Sequence, residues 1–91
     1  MRYTLFYDER LKKKIKKLDN GTKVILKKWI EKNLIDCEDP RSKGKPLSGT
    51  LSKYWRYRIG NYRLIVEIED DQLKIIALEF AHRSSVYKFI K

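Results

Sequence analysis

The first twenty residues change from an extended to a helical pattern of hydrophobic positions. Residues 3–7 (Tyr-Thr-Leu-Phe-Tyr) are rich in strand formers, and the run is short enough for an edge strand. Asp8 is suited to cap a following helix. Beyond it, Leu11, Ile15 and Leu18 recur at the spacing of one helix face. The pattern therefore predicts a strand followed directly by an amphipathic helix.

A second helix is predicted immediately after the first. The pair Asn20-Gly21 is expected to end the first helix, and Thr22 to cap the next one. Its apolar positions are Val24, Ile25, Trp29, Ile30 and Leu34. Two adjacent helices with a short connection predict an antiparallel helical hairpin.

Three strands are predicted after an irregular stretch at residues 36–50. They span roughly residues 53–59, 62–69 and 72–80, where apolar and polar side chains alternate. Gly-Asn at positions 60–61 is a two-residue hairpin signal, which sets Arg58 opposite Arg63.

The third predicted strand follows a turn at Asp70-Asp71. This turn pairs Glu67 with Lys74, an opposite-charge match that favours the register.

The predicted register sorts the meander into two faces. The face expected to receive the helices carries Trp55, Tyr57, Ile59, Tyr62, Leu64, Val66, Ile68, Leu73, Ile75 and Ala77. The other face carries Arg56, Arg58 and Arg63 beside Ile65, Ile76, Leu78 and Phe80. We therefore expect one α+β domain over residues 1–91, with β-α-α, an antiparallel meander and a short C-terminal segment in two layers. A half-apolar outer face is typical of a partner groove.

Composition limits the possible partners and chemistry. The 22 Lys and Arg residues against 12 Asp and Glu give a net charge of +10, which favours an anionic partner. No apolar run approaches the roughly 20 residues that span a bilayer, and the N-terminal residues lack a signal-peptide core. One cysteine and one histidine exclude an internal disulfide and a zinc site. We expect a cytoplasmic protein without a cofactor.

The arginines are the strongest candidates for chemistry. Like charges opposite each other destabilise a ladder, so Arg58 and Arg63 are not expected to serve stability, and an anionic ligand is expected there.

Metal-free RNA cleavage by a 2′-OH needs a base, cations for the phosphorane and an acid for the leaving 5′-oxygen. His82 is the single histidine, and histidine is the side-chain type that ordinarily changes its charge near neutral pH. If the last strand ends near residue 81, the segment with His82, Arg83 and Tyr87 can close over the arginines.

Motifs along nearly the whole chain resemble the RelE family of bacterial and archaeal toxins. They are Tyr7-Asp8-Glu9-Arg10-Leu11, Leu51-Ser52-x-x-Trp55-Arg56-Tyr57-Arg58-Ile59-Gly60-Asn61-Tyr62-Arg63-Leu64-Ile65, and His82-Arg83-Ser84-Ser85-Val86-Tyr87. The resemblance implies a two-layer fold and ribosome-dependent mRNA cleavage in the A site. It also implies a RelB-like antitoxin, with the toxin a monomer alone and part of a hetero-oligomer with that antitoxin.

The resemblance also assigns site residues. The two basic residues on the strand before the hairpin fall at Arg56 and Arg58, and the hairpin arginine falls at Arg63. The arginine after the last strand falls at Arg83, and the terminal tyrosine at Tyr87. The best-studied members carry lysines where this chain has Arg56 and Arg58. Because arginine is effectively never deprotonated, His82 or the ribosome is left as the candidate for proton transfer.

Two other functions fit the same pattern of residues. ParE toxins share the fold but inhibit DNA gyrase by binding. A toxin-like chain can also lose its activity and act only as a corepressor. The arginine cluster with His82, Arg83 and Tyr87 favours the nuclease.

Overall fold

The fold is a five-stranded mixed sheet with two helices on one face. The computed structural model describes residues 2–47, 49 and 53–85. Within them the elements are β1 Thr4–Tyr7, α1 Glu9–Lys16, α2 Asn20–Asn33, β2 Lys45–Pro46, β3 Tyr54–Ile59, β4 Tyr62–Glu69 and β5 Lys74–His82. The strand order is β1-β5-β4-β3-β2, with β1 parallel to β5 and the other pairs antiparallel. The predicted α+β class and the edge position of β1 are confirmed.

Each helix begins at an aspartate. Asp8 caps α1 as predicted, since its carboxylate accepts the N–H of Arg10 at 2.9 Å. The predicted cap at Thr22 is wrong: Asp19 caps α2 and accepts both the N–H (3.1 Å) and the hydroxyl (2.6 Å) of Thr22. These hydrogen bonds lower the pKa of the Asp19 carboxyl. Asn20-Gly21 consequently forms the first turn of α2 instead of ending α1.

The β3–β4 hairpin has the predicted register. Arg58 lies opposite Arg63, and Ile59 opposite Tyr62. Gly60 has a φ of 59°, a conformation that glycine adopts at little cost. The two-residue turn therefore fixes which side chains share each face.

The predicted pairing of β4 with β5 is wrong in two places. Glu67 lies opposite Ile76, and Lys74 opposite Glu69, because a 3₁₀ turn at Asp70–Gln72 lengthens the connection. A bulge then inserts Leu78 between the partners of Ile65 and Val66.

The bulge reverses the alternation of β5 beyond it. Phe80 therefore lies on the helix-facing side, opposite Leu64, rather than on the outer face. Its ring stacks on that of Tyr62, with 4.9 Å between the ring centroids. Leu73, predicted on the same face, lies in the turn with a left-handed φ of 53°.

The sheet buries apolar side chains on both faces. The main core joins the helices to the inner face through Leu11, Leu26, Ile30, Leu34, Tyr57, Ile59, Leu64, Val66, Ile68, Ile75, Ala77 and Phe80. On the outer face, Leu47 packs against Ile65 and Ala81. The loop before β3 therefore covers part of the apolar surface that was expected to be exposed. No helix in the described ranges is long and apolar enough to cross a membrane.

Candidate functional site

A cationic cleft of about 620 Å³ lies on the outer face of the sheet. Its described lining consists of Gly44, Lys45, Arg56, Arg58, Arg63, Arg83 and Ser84. Four of the predicted site residues are therefore brought together, although they come from two strands and the segment after β5. Gly44, Lys45 and Ser84 were not predicted from the sequence.

The two hairpin arginines differ in their surroundings. Arg58 is exposed, whereas Arg63 is only 8% exposed. The Arg63 guanidinium donates to the carbonyl oxygens of Tyr62 at 2.9 Å and Gly60 at 3.3 Å. Arg63 therefore also holds the turn, and the expectation that it does not serve stability needs correction. Charge-assisted hydrogen bonds to the backbone offset its repulsion with Arg58.

The short strand β2 brings Lys45 to the cleft. Lys45 lies opposite Arg56 at the edge of the sheet. Gly44 before it has a φ of 79°, and a Cβ there would come within 2.3 Å of the Arg56 carbonyl oxygen. The indole N–H of Trp55 also donates to the Lys43 carbonyl at 2.6 Å. Gly44 is thus the residue that allows this loop to lie directly on β3.

The loop is further held by a buried tyrosine below the cleft. The Tyr57 hydroxyl donates to the carbonyl oxygen of Pro40. Burial raises the pKa of Tyr57 well above its ordinary value, so the hydroxyl stays protonated and remains a donor. Arg41 in the same loop pairs with Asp70 at 2.8 Å.

Arg83 reaches the cleft because the chain turns back at the end of β5. Its backbone N–H donates to the Asn61 carbonyl at 2.8 Å, which places it beside the β3–β4 turn. Ser84 follows it into the lining. Tyr87, the remaining residue predicted in this segment, lies outside the described residues.

His82 is absent from the described lining of the cleft. It lies opposite Tyr62 in the register, and its ring stands edge-on to the Tyr62 ring with 5.8 Å between centroids. Tyr62 packs against the main core, so His82 projects to the helix side of the sheet while Ala81 faces the cleft side. His82 Nδ1 lies 2.9 Å from the Ser84 hydroxyl.

Four cations of the cleft, Lys45, Arg56, Arg58 and Arg83, form no ion pair with a carboxylate in the described residues. The ion pairs found in residues 2–47, 49 and 53–85 are Lys12–Glu9, Lys14–Glu79 and Arg41–Asp70. None of them involves Lys45, Arg56, Arg58 or Arg83. In the same ranges no three His, Cys, Asp or Glu side chains gather as metal ligands. The cleft is therefore suited to bind an anion.

Residues 5–87 match the family described as "ParE toxin of type II toxin-antitoxin system, parDE". The chain belongs to this toxin family. Toxin RelG of Mycobacterium tuberculosis is 34% identical to it over 50 residues, which are 55% of this chain. The chain spans 58% of the length of that curated relative.

Solved toxin structures share the fold of this ParE-family chain. The toxin–antitoxin complex RelBE2 of Mycobacterium tuberculosis superimposes with a TM-score of 0.77 at 24% identity, covering 91% of this chain and 100% of that one. The isolated RelE toxin of E. coli gives a TM-score of 0.72 at 27% identity, and the match covers 97% of this chain and 94% of that one. The expected placement in the RelE/ParE superfamily of toxins is confirmed.

Proposed function

We propose that this toxin is an endoribonuclease that cleaves mRNA on the ribosome. The observation that carries the proposal is the cleft itself, where Arg56, Arg58, Arg63, Arg83 and Lys45 converge. A guanidinium donates several hydrogen bonds in one plane and matches the oxygens of a phosphodiester. Of these residues, Lys45, Arg56, Arg58 and Arg83 form no ion pair within the described part of the chain, so their charges suit such a substrate.

The proposed reaction is attack of a 2′-OH on the adjacent phosphorus. It breaks the bond to the 5′-oxygen and leaves a 2′,3′-cyclic phosphate and a 5′-hydroxyl. Negative charge develops on the phosphorane oxygens, and fixed cations stabilise such charge more in the transition state than in the ground state. Arg58 and Arg83 fit this role because both side chains are exposed beside the hairpin turn.

The ribosome is proposed to supply the orientation that an open cleft lacks. The described lining consists of cations, a glycine and a serine, which hold a phosphate but do not fix the flanking bases. In-line attack requires the 2′-oxygen and the leaving group to be aligned. We therefore expect naked RNA to be cut poorly.

The proposed protein partner is a RelB-like antitoxin. One solved neighbour is the intact E. coli RelBE toxin–antitoxin complex, with a TM-score of 0.71 at 26% identity. A net charge of +10 favours an acidic antitoxin segment, which would associate more slowly as salt rises. The toxin alone is proposed to be a monomer and its complex a hetero-oligomer.

Two predicted site residues, His82 and Tyr87, are not among the described cleft residues on which the proposal rests. His82 has no assigned step, because its ring lies on the helix side of the sheet. Tyr87 keeps its predicted role of stacking on a base or hydrogen bonding to the phosphate.

Primer extension on an mRNA translated by purified ribosomes tests the proposal. With the toxin present, new 5′ ends should appear within the translated region and disappear when translation is blocked. If the toxin leaves every translated mRNA intact, the endonuclease proposal is wrong.

Inhibition of DNA gyrase is the second candidate function. The family match favours it, because the family is described as the ParE toxin of the type II toxin-antitoxin system parDE. A supercoiling assay with purified gyrase distinguishes the two. Inhibition of gyrase without mRNA cleavage would support the second candidate, and neither activity would support an inactive corepressor.

A further inference from the structure

Lys45 differs chemically from the four arginines with which it shares the cleft. We propose that Lys45 is the general acid that protonates the leaving 5′-oxygen, an inference that rests on the proposed endonuclease function. Its backbone lies opposite Arg56, one strand away from Arg58. The family resemblance did not assign a role to this position.

The loop holds the Lys45 backbone firmly on both sides. Gly44 lies so close to β3 that a Cβ on it would be 2.3 Å from the Arg56 carbonyl oxygen. On the other side, Leu47 is 6% exposed, packs against Ile65 and donates its N–H to the Tyr54 carbonyl at 3.0 Å. Lys45 itself is exposed and forms no ion pair within the described ranges. An exposed ammonium group thus extends from a backbone held on both sides.

The chemistry of the leaving group favours lysine over arginine. A lysine ammonium is protonated at neutral pH and can give up a proton, with an ordinary pKa of about 10.4. An arginine guanidinium is effectively never deprotonated, so Arg56, Arg58, Arg63 and Arg83 can stabilise charge but transfer protons poorly. Of the described lining, only Ser84 also carries a transferable proton, and a serine hydroxyl is a far weaker acid than an ammonium.

The proposed step balances without a further reactant. The 2′-OH proton passes to water as the 2′-oxygen forms its bond to phosphorus. The bond between phosphorus and the 5′-oxygen breaks, and that oxygen takes a proton from the Lys45 ammonium. The resulting neutral amine then recovers a proton from solvent.

Single-turnover cleavage of ribosome-bound mRNA with Lys45→Met and Lys45→Arg variants tests the assignment. Both should slow cleavage a hundredfold or more, within the usual range for general acid–base catalysis. Lys43→Met is the matched control, because the Lys43 ammonium donates to Asn33 rather than lining the cleft. It should cleave within a fewfold of the unchanged protein. Melting temperatures of all three variants show whether they fold.

A substrate whose bridging 5′-oxygen is replaced by sulfur gives the decisive readout. A thiolate leaves without protonation, so Lys45→Met should recover most of the wild-type rate on this mRNA. Equal slowing on both substrates would overturn the assignment. A Lys45→Arg variant of wild-type rate would overturn it too, because charge alone would then be sufficient. If the unchanged protein does not cleave mRNA, the proposed function fails and this inference fails with it.

Discussion

Arg58 and Arg63 face each other across the β3–β4 hairpin, yet only Arg63 is bound to the turn. Its guanidinium donates to the carbonyl oxygens of Gly60 and Tyr62, and its side chain is buried. Arg58 is exposed and lines the same cleft. One arginine of the pair therefore stabilises the hairpin, and the other is available for an anionic ligand.

Alanine variants should separate these two roles. Arg58→Ala should lower mRNA cleavage a hundredfold or more while its melting temperature stays equal or rises, because a repulsive charge is removed. Arg63→Ala should lower both activity and stability, the latter by about 1–3 kcal/mol, since the carbonyl oxygens of Gly60 and Tyr62 lose a charged donor. Thermal melting and ribosome cleavage measured on the same preparations check both. A destabilised Arg58→Ala with an unaffected Arg63→Ala would contradict this division.

Gly44→Ala should damage the cleft through the backbone. A Cβ at this position would lie 2.3 Å from the Arg56 carbonyl oxygen and 2.9 Å from Tyr57 Cδ1, so the loop must move away from β3. We expect a lower melting temperature and at least a tenfold loss of cleavage, because Lys45 moves with the loop.

Gly49→Ala is the matched control for Gly44→Ala. Gly49 also has a positive φ, of 67°, but a Cβ there meets no atom of residues 2–47 or 53–85 within 4 Å. The Gly49→Ala variant should lose only about 1–2 kcal/mol of stability, which is the conformational cost of a non-glycine residue at a positive φ. Equal effects of the two substitutions would show that close contact with β3 is unimportant.

The Asp70 carboxylate should contribute stability that depends on pH. It accepts hydrogen bonds from Arg41 at 2.8 Å and Tyr3 at 2.7 Å, which lower its pKa in the folded protein. The contribution is therefore complete above the unfolded pKa of about 3.9 and is lost as pH falls through the lower folded value. Asp70→Asn should have a lower melting temperature than the wild type at pH 7, and this difference should shrink progressively as the pH falls below about 4. A difference that persists unchanged to pH 2 would contradict this.

His82→Gln should cleave ribosome-bound mRNA within a fewfold of the wild-type rate. The His82 ring contacts Tyr62 on the helix side of the sheet and is absent from the described lining of the cleft. The pH dependence of single-turnover cleavage should also be unchanged. A hundredfold loss together with a flattened profile between pH 5 and 7 would restore the role suggested by the sequence.

Local signals in the sequence were sufficient for the β3–β4 hairpin. Gly60 and Asn61 form a two-residue turn, so the pairing of Arg58 with Arg63 needed no information from the rest of the fold. Helix periodicity likewise predicted Leu11 in the core. The exact start of α2 was missed because both Asp19 and Thr22 are good caps, and a carboxylate in position accepts two hydrogen bonds.

The position of His82 could not be predicted because it depends on a bulge. Simple alternation along β5 puts Phe80 and His82 on the arginine face, whereas the extra residue Leu78 moves both to the helix side.

Lys45 was missed for a different reason. Its strand is two residues long, and its contact with β3 depends on Gly44 and Leu47 packing against distant residues.

The most direct test compares the toxin with an Arg58→Ala/Arg83→Ala variant in a purified translation reaction. Both side chains are exposed in the cleft, and neither forms an ion pair in the described ranges, so the variant should fold and melt like the wild type. Primer extension should show cleavage of the translated mRNA by the wild type and none by the folded variant. Cleavage by the variant at the wild-type rate would show that the arginine cleft is not the site of the reaction.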